Sequence, residues 1–163
     1  MINENRVSIL DAYTSLLLCE SLDFSYDVRW EKDGKGYFDY DVEYDDVFGD
    51  MTKTMEMIFI TTEVNGHVML EVSFRPSHTT SFEIEDAKGK EKQIISTVLN
   101  SAIHVYEKYK DERGYVGIVA MVDPKDYKAE KRNKLYAYMS QAIATKYGGE
   151  AGSHSRYHYW MPN

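Results

Sequence analysis

Asp39, Asp41, Glu43 and Asp45 recur at every second position of the chain. On an extended strand, residues so spaced stand about 6 to 7 Å apart on one face. Like charges at that separation repel, and a metal ion or a cationic partner would relieve them. An EF-hand calcium loop is excluded, because the glycine at its sixth position and the glutamate at its twelfth are missing. The intervening Phe38, Tyr40, Val42 and Tyr44 form the opposite, apolar face. The plain alternative is a solvated strand whose charges discourage edge pairing. His154, Arg156 and His158 share one face of an expected final strand, but two histidines four apart need further ligands to hold zinc. Cys19 is the single thiol, continues the apolar run from Leu16, and reads as a structural core residue. His67, His78 and His104 have no close acid–nucleophile pair in sequence, and no nucleophile-elbow signature occurs.

The acidic repeat sits inside a longer charged segment. Residues 20–50 hold eleven acids against three bases, while the rest of the chain carries sixteen of each, so the whole net charge of -8 arises there. Eight of the twenty-two aromatic residues share the segment, Tyr37, Tyr40 and Tyr44 among them. A localised field of this kind steers encounter with a basic partner. We therefore expect protein binding, with Asp39, Asp41, Glu43, Asp45 and these tyrosines as the contact surface. A sequence pI near 5.1 with no cluster of Lys and Arg argues against nucleic-acid binding. No apolar run approaches the roughly 20 residues of a membrane span, and no signal-peptide pattern opens the chain. The expected location is the cytoplasm, and one cysteine suits a reducing compartment.

At 163 residues a single α+β domain is expected. Asn3 caps a helix over residues 3–21, with Val7, Leu10, Tyr13, Leu17 and Leu18 on one face. Strands follow over 28–30, 37–46, 54–64, 67–75 and 81–85, with turns at Asp33-Gly34 and Asn65-Gly66, the latter the strongest hairpin signal in the chain. A second helix over 90–109, a buried strand over 115–122, a third helix over 127–147 stopped by Gly148-Gly149, and a strand over 156–161 complete the order α-β-β-β-β-β-α-β-α-β. A mostly antiparallel twisted sheet flanked by helices is implied.

The segments "VMLEVSF", "SFEIEDAKGKEKQIISTVLNSAIHVYEKY", "GYVGIVAMVDP", "KRNKLYAYMSQAIATKYGG" and "RYHYW" resemble a family of small bacteriophage proteins to which no reaction is assigned. The resemblance covers about the last 110 residues, through Thr97-Val98 on one helix and Arg132, Leu135 and Tyr136 on a later one. It implies a phage origin and a fold similar to GCN5-related N-acetyltransferases. Such enzymes seat the coenzyme A pyrophosphate on a glycine-rich loop at a helix N-terminus. The matching residues are Lys88, Gly89 and Lys90, with Arg132 as a further cation. The loop has one glycine where two are wanted, and Glu83, Glu85 and Asp86 repel phosphate. Tyr136 stands where those enzymes keep the acid that protonates the departing thiolate. The resemblance thus gives acetyl-coenzyme A as the alternative to a cofactor-free binding protein, in the role of an acyltransferase. A virion structural or assembly role is a third possibility that no residue favours.

Overall fold

The computed structural model describes residues 23–45, 49–79, 90–123, 125 and 129–163. The helix expected over 3–21, Cys19, the strand expected over 81–85, and Lys88 and Gly89 lie outside them.

Two turns that need left-handed backbone organise the first half. Gly34 has φ of +80°, and a Cβ there would lie 2.6 Å from the Phe59 carbonyl oxygen, so only glycine lets the turn close against the strand that carries Phe59. Asn65 and Gly66 take φ of 50° and 81°, as a type I′ hairpin requires. Around these turns run β1 (Arg29–Glu31), β2 (Lys35–Asp45), β3 (Gly49–Val64) and β4 (His67–Pro76). Then come α1 (Glu91–Arg113), β5 (Ile118–Met121), α2 (Ala129–Tyr147), β6 (Glu150–His154) and β7 (Tyr157–Met161). The seven strands form one sheet in the order β1-β2-β3-β4-β5-β7-β6. Every neighbouring pair is antiparallel except β4 with β5.

Period-2 alternation sets the faces. Phe38, Tyr40 and Val42 of β2, Met55 and Met57 of β3, and Val72 and Phe74 of β4 join one core with Ile94, Val98 and Ala102 of α1 and Leu135, Met139 and Ile143 of α2. Both helices therefore lie on one face of the sheet. Val119 points the other way and is still only 1% exposed. Among the described residues no helix is long and apolar enough to cross a membrane.

Three boundaries differ from expectation. Helix α1 runs on to Arg113 because Gly114, at φ of 72°, donates its N–H to the Lys110 carbonyl and closes the end. Strand β5 begins only at Ile118; a Cβ on Gly117 would meet the Trp160 carbonyl at 2.3 Å. The expected single final strand is a hairpin, turned at Ser155 with φ of 57°. His154 and His158 therefore stand on different strands rather than on one face of one strand.

Candidate functional site

The parallel contact between β4 and β5 is short. Leu70 pairs with Ile118 and Glu71 with Val119, and the register ends there, although β4 continues through Val72 to Pro76 and β5 to Met121. Past that point, among the described residues, β4 pairs with β3 and β5 with β7. Both helices follow these strands, so their N-terminal ends lie toward the end of the sheet where the strands part. Positive helix ends and parting parallel strands are where α/β proteins accept anionic ligands. At the start of α1, Lys90 occupies the N-cap and makes no side-chain cap hydrogen bond.

Arg132 and Tyr136 stand one turn apart on α2, both nearly buried. The Tyr136 ring lies 6.2 Å from that of Phe74, on β4 beyond its last pairing with β5. Burial holds the Tyr136 hydroxyl above its usual pKa, against a smaller opposite pull from Arg132. At neutral pH it stays protonated, the state a general acid needs. Beneath it lies a cavity of about 20 Å³, also lined by Ser140 and His158 and large enough for one water. Thr97, in the matched helix, is structural: it accepts the Tyr26 N–H at 2.9 Å and donates to the Gln93 carbonyl.

The acidic strand divides its roles. Asp39 accepts two hydrogen bonds from Arg29, at 3.0 and 3.1 Å, and one from Thr54. These contacts, Arg29 first, hold its carboxyl below the usual range. Asp41 accepts from the Thr52 hydroxyl at 2.8 Å and has no ion pair among the described residues. Glu43 and Asp45 lie on β2 where its register with β3 shifts, and their side chains, like that of Tyr44, are outside the described part. Tyr37 is partly exposed, whereas Tyr40 is 2% exposed and belongs to the core, which removes it from any contact surface.

One constellation escaped the sequence. His158 contacts Ser153 Oγ through Nδ1 and Asn133 Oδ1 through Nε2, each at 2.7 Å. With Nε2 donating to the amide oxygen, Nδ1 is free to accept the serine proton. Burial pushes this imidazole below its usual pKa and keeps it neutral. The contacts tie the β6–β7 hairpin to α2. No spacing signal announces them, because the three residues come from three elements. Among the described residues no group of His, Cys, Asp and Glu is placed to hold a metal. No family model, curated protein or solved structure matches the chain.

Proposed function

We propose that the protein binds an acyl-coenzyme A at the open ends of β4 and β5 and transfers the acyl group to an amine. One observation carries the proposal: the β4–β5 contact stops after Glu71 and Val119, on the side of the sheet where both helices begin. Coenzyme A would supply the thioester. Lys90 and the N-terminal end of α1 offer positive charge for its phosphates. Glu91, in the first turn, partly offsets them. Tyr136 holds a proton for the departing sulfur. The resemblance to the phage family carries no reaction of its own, and only the acetyltransferase-like fold that it implies suggests this one.

The test is thiol release from acetyl-coenzyme A in the presence of a panel of primary amines. Wild type should release thiol only with an amine present, and Tyr136→Phe should lose about 10²-fold or more of that rate while staying folded. Equal rates in the two proteins would remove Tyr136 from the chemistry.

A second reading is favoured by Asp41, which is exposed and has no ion pair among the described residues, and by Tyr37, partly exposed on the same strand. Here the chain is a phage accessory protein that engages a basic host or defence protein through the outer face of β2. Arg29 weakens this reading, since it already satisfies Asp39.

A further inference from the structure

A second cleft lies at the opposite end of α1 from Lys90. Its volume is about 710 Å³, within the roughly 300 to 1,000 Å³ typical of small-molecule sites. The tight turn at Gly34 forms one lip, where the Phe59 N–H donates to the Gly34 carbonyl at 2.8 Å. Opposite stands the last half of α1. The cleft floor is fixed by a hydrogen bond of 2.8 Å between Thr61 and Tyr115.

Its walls differ in chemistry. Trp30 is 44% exposed, with its ring 5.7 Å from Phe59 and 5.5 Å from His104. A large indole left half open beside two other rings is a stacking platform. On the helix, Lys108 Nζ and the Arg113 guanidinium lie 5.4 and 5.3 Å from the centre of one ring, that of Tyr109. Among the described residues neither cation is joined to a carboxylate. Two such cations around one ring, in a chain of net charge -8, attract an anion locally. At the end of β1 and on the turn after it, Glu31 and Asp33 present carboxylates, which accept hydrogen bonds from hydroxyl groups.

A ligand that matches all three has a flat aromatic part, hydroxyls and a compact anion. We infer that this cleft binds a nucleoside monophosphate, with the base against Trp30 and the phosphate on Lys108 and Arg113. The site is independent of the acyl-transfer reading, because it lies at the other end of α1 and uses none of the same residues.

AMP is the probe, with adenosine and inorganic phosphate as separate arms, measured by titration calorimetry and tryptophan fluorescence. Trp160 is 3% exposed, so a fluorescence change reports Trp30. AMP should bind with 1:1 stoichiometry and quench, and adenosine and phosphate should each bind about tenfold or more weakly. The double variant Lys108→Ala/Arg113→Ala, made at two exposed positions, should weaken AMP about tenfold or more and leave adenosine unchanged. Trp30→Phe should weaken AMP and adenosine alike. No saturable AMP signal up to millimolar concentration in folded wild type overturns the inference. So does an AMP affinity that the double variant leaves intact.

Discussion

His158 shows how one side chain can link stability to pH. Its imidazole titrates below the usual 6.5 in the folded state. Below that pH the unfolded chain therefore binds the proton first, and stability falls as pH drops from about 6.5 through the lower folded value. Chemical denaturation at pH 7.5 and at pH about 5 should show a larger loss in wild type than in His158→Gln. An equal loss in both would mean that the ring is protonated in the fold. Gly34 gives a second test at this scale. A Cβ 2.6 Å from the Phe59 oxygen, at φ of +80°, should make Gly34→Ala less stable by about 1 to 3 kcal/mol in urea unfolding. The Gly34 turn was legible in the sequence because its requirement is local. The partners of His158 were not, because Asn133 and Ser153 reach it only through tertiary packing.

Elements differ in the same way. The Asn65-Gly66 hairpin was readable, since two residues accepting positive φ fix the register from Val64↔His67 onward. Strand β6 was not. Its residues Glu150, Ala151, Gly152, Ser153 and His154 have poor strand propensity, and they pair because β7 supplies the partner. Gly152 also leaves space for Tyr159, whose hydroxyl would lie 2.4 Å from a Cβ there. The interior position of β5 was expected from its apolar run, whereas its early separation from β4 is a register property that composition does not encode. Val119 is 1% exposed between neighbouring strands. Val119→Asp should cost several kcal/mol, enough to unfold a domain with about 5 to 15 kcal/mol of stability. A cooperative melt of soluble Val119→Asp near the wild-type temperature would contradict the strand order. Gly114→Ala should cost about 1 kcal/mol, because the helix end needs φ of 72°.

At the scale of the molecule, the acidic segment and the parted strands offer rival surfaces. Replacing Asp39, Asp41, Glu43 and Asp45 with Asn or Gln should leave the fold intact, since the exposed charges of Asp39 and Asp41 contribute little to stability. If the outer face of β2 meets a basic protein, association should slow in the variant. The wild-type rate should also fall with salt, as screening over about 8 Å dictates. The Arg29–Asp39 pair leads us to expect only a small change, and association kinetics at two salt concentrations measures it. The acyl-transfer account faces its most direct test in thermal unfolding with and without acetyl-coenzyme A. A ligand at 100 times its Kd adds about 2.7 kcal/mol, which raises Tm by roughly 5 to 10 °C for a domain of this size. The account predicts a rise of that order at millimolar acetyl-coenzyme A. An unchanged Tm at that concentration would contradict it.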